Sequence, residues 1–380
     1  MSSQAIDFLI IGGGPAGCAF AILAARAGAS VVLVERDDYR QFRPGEHLAG
    51  RVRPMLDALH VSRGEAGTFT TISPGIHSDW SGVQPVTKLY GATGQATGLC
   101  VLRHRFDELL SRSACEAGVT VLLRSKLTSI ERLRTHEWNV TITDAQQQKR
   151  NLVTRSIVDA SGRKAFIART QGARRIHHGD LIAIVRWLEM RAPAARPNAL
   201  LTVESCAYGW WSVSLVNDTL VATLYTSRGM MRWAQATAGD WWTWALADTR
   251  EIGPMVRQCG SNPGAMRVYS ACPSRSSRLV GDGWITIGDA AIALDPLSGQ
   301  GVALALETAF RAFEAAMVDS SWNRLGADYS DALLSRFQTH LDKRTNVYKE
   351  AAAVLPKSFL RSAVMARYND TFPLNQQTFL

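Results

Sequence analysis

The sequence predicts an α/β protein: a Rossmann-like nucleotide-binding lobe, an antiparallel sheet inserted into it, and a helical C-terminal tail. Three observations predict it. An apolar run, Ile6 to Ile11, breaks into the turn Gly12-Gly13-Gly14-Pro15-Ala16-Gly17 and then into a helically spaced segment. A second strand-turn-helix signal returns far along the chain in "GWITIGDAAIALDPLSGQGVALALE". Between the two, "LIAIVRWLEM", "ALLTVESCAYGWWSVSLV" and "TLVATLYTS" alternate apolar and polar residues as strands do.

With 380 residues the chain exceeds the roughly 250 to 300 at which one core stops growing. We therefore expect a discontinuous nucleotide lobe from residues 1–75, 95–173 and 270–330, a substrate lobe from 76–94 and 174–269, and a helical region over 331–380. Within the tail, "YSDALLSRFQTHLDKRTNVYKEAAAVL" carries helical spacing and "PKSFLRSAVMARY" is a basic amphipathic piece. Apolar residues at 46% and charged ones at 20% are ordinary globular values. The net charge of +9 favours anionic ligands, but basic residues do not interleave with aromatics in a stripe, which argues against nucleic acid. Cys18, Cys100, Cys115, Cys206, Cys259 and Cys272 lie far apart without zinc spacing, so no metal is expected and the thiols read as reduced. The chain enters a strand almost at once, without a basic leader, and no apolar stretch reaches membrane-span length, which points to a cytoplasmic protein.

In the glycine turn, Gly12 permits the tight bend, Gly14 lets backbone N–H groups approach a pyrophosphate, and Gly17 lets helix and strand pack closely. Pro15 and Ala16 open the helix whose N-terminus faces the anion. The next strand, "SVVLVER", ends on Glu35, 18 residues past Gly17, where an acid can bond a ribose diol. Arg36 either flanks an adenine or is a surface charge. "RPGEHLAG" places Glu46 and His47 in a loop leading toward a helix, and Arg103 starts a strand-helix-strand unit where it can pair with a phosphate; Arg105 and Asp107 read as a local ion pair.

In the distal signal, the strand Trp284 to Ile287 delivers Gly288 and Asp289, whose carboxylate can accept from ribityl hydroxyls. Pro296, Ser298, Gly299, Gln300 and Gly301 then lead into an alanine-rich helix, and the N–H groups at Gly301 and Val302 can face the carbonyl edge of an isoalloxazine ring.

These features together resemble the FAD-dependent superfamily of aromatic hydroxylases, tryptophan-halogenase-like and geranylgeranyl-reductase-like proteins, over residues 1 to about 330. The resemblance implies FAD as cofactor, an FAD-binding domain of aromatic-hydroxylase type, FAD-binding roles for Gly12, Gly14, Gly17, Glu35, Arg103 and Asp289, and a ring-side loop from Pro296 to Gly301. Asp159 stands where hydroxylases carry an Asp-Gly motif for FAD and nicotinamide, but Ala160-Ser161-Gly162 follows it, so the electron source is left between NAD(P)H and a separate flavin reductase.

"YGWWSVSL", "GDAAIALDPLSGQGVALALE" and "GIHSDW" look most like the flavoproteins that mature tryptophylquinone enzymes of the lysine ε-oxidase and glycine oxidase type. That resemblance implies hydroxylation of an electron-rich aromatic, a tryptophan of a partner protein or a small metabolite, through a C4a-hydroperoxyflavin. Three marks of tryptophan halogenases are missing: a WxWxIP segment is replaced by Trp210-Trp211-Ser212-Val213-Ser214, no lysine lies between Arg63 and Asp79, and Ser298 follows Pro296-Leu297. Phenol halogenases lack some of these marks, so a halogenase stays an alternative; a flavin reductase of isoprenoids and a flavin-binding module without turnover are the other competing classes. On the substrate side, Arg186, Trp210, Trp211 and Tyr225 either line the cavity or are sheet core. "WAQATAGDWWTWALADT" reads as one helix packed over the sheet or as an aromatic docking surface. His47 is a catalytic candidate beside Pro296, Gly299, Gln300 and Gly301, and His77 and Asp79 are polar candidates of the same kind. His177-His178 reads as a solvated turn.

Overall fold

A computed structural model of the chain describes residues 5–61, 69–80, 84–94, 96–134, 136–190, 199–237, 241–259, 266–319, 322 and 326–354. The strands Ile6–Ile11, from Phe8 onward, and Val31–Val34 are continuously apolar and buried because both of their faces are covered. They pair in parallel, and Lys149–Asp159 joins the other side of Ile6–Ile11 in the same direction. Thr120–Leu122 and Trp284–Thr286 extend the parallel set at its two flanks. Five strand ends therefore open on one edge, the place where open α/β sheets hold their ligands. An antiparallel ladder of Lys126–Arg132 and Trp138–Thr143 is grafted onto Lys149–Asp159.

The helix Pro15–Arg26 has nine buried residues of twelve, since it is packed against Arg103–Glu116 on one side and Gly301–Val318 on the other. Alanines at 19, 21 and 24 on one helix and 303, 309 and 312 on its neighbour are all buried and let the backbones come close. Phe20 fills what they leave, edge-on to Phe8 at 5.3 Å and to Phe313 at 6.3 Å.

A second sheet has seven strands in the order Arg267–Ser270, Leu181–Glu189, Thr219–Ser227, Gly209–Val216, Leu201–Cys206, Gly75–Asp79 and Val86–Leu89. It is antiparallel except where Leu201–Cys206 meets Gly75–Asp79 in parallel, a departure from the all-antiparallel expectation that follows from their long connection. The chain enters and leaves this sheet through two short strands, Arg175–His177 and Ser274–Ser276, which pair with each other. The aromatic stretch expected as one helix forms two, Arg228–Thr237 and Trp241–Ala247, followed by Ile252–Arg257. The tail is a single helix from Gly326 to Val354. The basic amphipathic piece that follows lies outside the described residues. Among those described, no helix is long and apolar enough to cross a membrane.

Candidate active site

The glycine turn has two kinds of glycine. Gly12 has a φ of 110°, and a Cβ there would stand 2.3 Å from the Ala160 carbonyl oxygen; at Gly17 it would stand 1.9 Å from that of Gly12. Those two are required by backbone packing. At Gly14, by contrast, nothing lies within 4 Å of a Cβ. Gly14 is also the N-cap of Pro15–Arg26, with no side chain capping the helix and no acid in its first turn. Unsatisfied N–H groups and the positive end of a helix dipole thus face open space, an arrangement suited to a phosphate.

Glu35, at the end of the neighbouring strand, accepts the Gly13 N–H at 2.6 Å and the Asp37 N–H at 2.9 Å. Arg36 is exposed. Arg103 pairs with the wholly buried Asp107 at 3.1 Å and donates to the Pro44 carbonyl at 3.1 Å. Asp107 takes Arg43 as its second cation, while Arg105 pairs with Glu108, so the expected Arg105–Asp107 pair is not formed. Arg103 reaches under the loop at Gly45, whose φ of 101° suits glycine and where a Cβ would sit 2.7 Å from the guanidinium.

The distal signal folds back onto this turn. A Cβ on Gly288 would come within 3.0 Å of the Ala16 methyl group, and the Gly288 N–H donates to Thr308 Oγ1 at 2.8 Å. Asp289 is partly exposed beside it, 3.3 Å from the Arg163 guanidinium. Asp159 is fully buried and accepts from Ser161 and from the Ala168 N–H, so it closes its own loop; burial pushes its carboxyl upward.

Pro296–Ser298 forms one tight turn, Gly299 is left-handed at φ 58°, and Gln300 caps Gly301–Val318 without a side-chain bond. Nothing lies within 4 Å of a Cβ on Gly301, whereas Val302 is buried behind it. Gln300 turns its amide toward Arg336 of the tail helix. His47 comes to this loop from a remote part of the sequence: its Nδ1 is 3.9 Å from a Cβ on Gly299 and is buried without a hydrogen-bond partner. Its Nε2 lies 3.2 Å from the Tyr90 hydroxyl, and burial pushes its pKa down to about 4, leaving a neutral imidazole at pH 7.

Glu46 points the other way. It accepts the Gly45 N–H at 2.9 Å and Trp187 Nε1–H at 3.3 Å, and burial pushes its pKa up to about 7. A carboxyl raised in the folded state favours folding below its unfolded pKa, and that advantage is lost as pH rises through the folded value. We expect the wild-type chain to lose about 3 kcal/mol relative to Glu46→Gln between pH 4.5 and pH 8. Urea unfolding at both pH values checks this, and parallel pH profiles for the two proteins would refute it.

Two helices packed on each other, Pro15–Arg26 and Gly301–Val318, therefore both start without a side-chain cap and with open space at Gly14 and Gly301. The family described as FAD dependent oxidoreductase matches residues 7–179. LodB of Marinomonas mediterranea, described as an FAD-dependent oxidoreductase, is 28% identical over 350 residues, covering 91% of this chain and 93% of its own. The chain is an FAD-dependent oxidoreductase. Its fold is that of the flavin-dependent halogenase CmlS, with a TM-score of 0.85 at 20% identity over 95% of this chain and 67% of that one. It is likewise that of the peptidyl tryptophan dihydroxylase QhpG, with a TM-score of 0.72 at 22% identity over 95% and 79%.

An elongated dinucleotide fits the oxidoreductase's crevice, since both ends offer anion-facing N–H groups and glycines with open space. On the sheet, Trp210 stacks on Tyr225 with 3.8 Å between ring centroids, on the face shared with Leu297 of the loop. Trp211 and Arg186 are on the opposite face, each 4.8 Å from the Trp242 ring. The oxidoreductase thus brings two of the four substrate candidates to the loop and packs the other two into the helix layer, because successive strand residues face opposite ways. Trp241 and Trp242 are buried in that layer, while Trp244 is 37% exposed against Tyr208. His77 bonds Thr87 and Asp79 pairs with Arg250, both within or beside the sheet. His177 ends the strand Arg175–His177, and His178 packs edge-on against Phe337 of the tail rather than forming a free turn.

Sequence reasoning missed Asp295, Arg344 and Tyr348. Asp295 is buried, accepts the Leu297 N–H, and binds both tail residues through Oδ2. Aspartate directly before a proline that opens a turn was the available signal. Arg344 and Tyr348 share a helix face four residues apart, but nothing local marks what that face meets.

Proposed function

We propose that the chain is an FAD-dependent monooxygenase that hydroxylates an electron-rich aromatic substrate. The observation that carries this reading is the open helix start at Gly301, flanked by the unpartnered His47 Nδ1 and set in a loop that packs on the Trp210–Tyr225 side of the sheet. In this reading the turn Gly12 to Gly17 with Glu35 and Arg103 seats the adenine-ribose-pyrophosphate end, Asp289 takes the ribityl chain, and residues 76–94 and 174–269 form the substrate lobe. FAD, when bound, supplies activation of O₂ for transfer of one oxygen atom. The N–H groups of Gly301 and Val302 stabilise negative charge on the ring edge. The apolar Trp210 face keeps water away from the reacting atoms. Neutral His47 accepts a proton at Nδ1 while Tyr90 holds Nε2.

A tryptophan side chain of a partner polypeptide is the substrate class favoured by the sequence resemblance, and the fold likeness to QhpG, itself a peptidyl tryptophan dihydroxylase, agrees with it. Halogenation is the competing chemistry, since CmlS is a halogenase; the lack of a lysine from Arg63 to Asp79 speaks against it. Electrons would come from NAD(P)H or from a separate flavin reductase in the cytoplasm. The test supplies chemically reduced FAD and ¹⁸O₂ with tryptophan-containing peptides and small aromatics. We expect product carrying one labelled oxygen, with His47→Ala slowed about 10²- to 10⁴-fold at unchanged FAD content. Halogenated product, or product without label, would overturn the assignment.

A further inference from the structure

One buried hydroxyl joins three parts of the molecule that are distant in sequence. Tyr348, on the tail helix, is wholly buried and donates to Asp295 Oδ2 at 3.1 Å. The Tyr348 hydroxyl oxygen accepts Trp210 Nε1–H from the sheet at 3.0 Å. Asp295 in turn fixes the turn Pro296–Ser298, because its Oδ1 accepts the Leu297 N–H at 3.0 Å. Its charge is balanced by Arg344, 2.6 Å away, whose guanidinium also lies over the Tyr348 ring at 4.5 Å. The Tyr348 phenol therefore links the turn before Gly301 to the indole that stacks on Tyr225. No other side chain in this set contacts the loop, the tail helix and the sheet through one atom.

We propose that Tyr348 is a positioning residue for the flavin ring: it sets the helix start at Gly301 at a fixed distance from the Trp210 face of the sheet. This rests on the reading that Gly301 faces the ring. A phenylalanine keeps the packing and leaves Asp295 paired with Arg344, so the fold survives. Trp210 Nε1 then loses its acceptor, and the loop and the sheet lose their shared anchor. A buried donor without a partner costs about 1–3 kcal/mol, which the pair can relieve by moving apart.

The test uses the full chain loaded with FAD. Tyr348→Phe is expected to retain one FAD per chain, with displaced visible absorption bands and a roughly tenfold change in the equilibrium constant for two-electron reduction, about 30 mV in midpoint potential. A lowered unfolding midpoint with unchanged bands and unchanged potential would show a purely structural tyrosine and overturn the proposal. Should Tyr348→Phe fail to fold, Trp210→Phe removes the same hydrogen bond from the other side and must give the same spectral and redox change. Gly301→Ala separates this idea from the reading beneath it, since nothing among the described residues lies within 4 Å of its new Cβ. If Gly301→Ala alters the bands and Tyr348→Phe does not, the loop faces the ring and Tyr348 does not position it. If Gly301→Ala leaves both bands and potential unchanged, the loop does not face the ring and the proposal falls with it.

Discussion

Gly14→Val is expected to weaken FAD binding at least about a hundredfold, roughly 2.7 kcal/mol, while leaving the stability of the FAD-free chain within about 0.5 kcal/mol. The two effects separate because nothing in the protein lies within 4 Å of a Cβ at Gly14. The new Cβ meets no described residue and stands in the space that the helix N-terminus faces. Gly17→Ala is the opposite case. Its Cβ would stand 1.9 Å from a backbone carbonyl oxygen, which no rotamer change relieves, and the strand and helix behind it are both buried. We expect about 3 kcal/mol of destabilisation there even without cofactor. Urea unfolding of the FAD-free variants and titration with FAD by flavin fluorescence measure both. Wild-type FAD affinity in Gly14→Val would remove the pyrophosphate from the glycine turn.

Asp295→Ala is expected to cost about 3–5 kcal/mol, the usual penalty for leaving a buried charge without its partner. Arg344, on the tail helix, would be stranded with its side chain only 9% exposed. The double variant Asp295→Ala, Arg344→Met should recover at least about half of that loss, because no buried charge is then orphaned. A single variant within about 1 kcal/mol of wild type would mean that water reaches this pair.

The nucleotide lobe was legible because its signals are local. The bend at Gly12 and the proline-opened turn at Pro296 follow directly from the residue types at those positions, and Glu35, which accepts the Gly13 N–H, stands at a fixed spacing at the end of the next strand. Period-two alternation also marked the inserted sheet, and the same alternation implies that Trp210 and Trp211 cannot share a face. The tail was not legible in the same way. Helical spacing shows that residues 329–355 coil, but Tyr348 and Arg344 acquire their partners from a loop some fifty residues earlier, and burial of a phenol against a carboxylate leaves no periodic trace. Arg186 illustrates the same limit. A cation within a strand suggested a ligand, and the long-range neighbour that accounts for it is the Trp242 ring.

The strands Arg175–His177 and Ser274–Ser276, where the chain leaves and rejoins the nucleotide lobe, are hydrogen-bonded to each other. Departure and return are thus one stitched doorway for the described residues between 181 and 270, while Gly75–Asp79 and Val86–Leu89 join the same sheet from an earlier excursion. A lineage could lengthen, trim or exchange the later excursion without moving the five parallel strand ends of the first sheet. On the proposed reading, the part that meets the substrate and the part that holds the flavin would then be encoded in different stretches of gene.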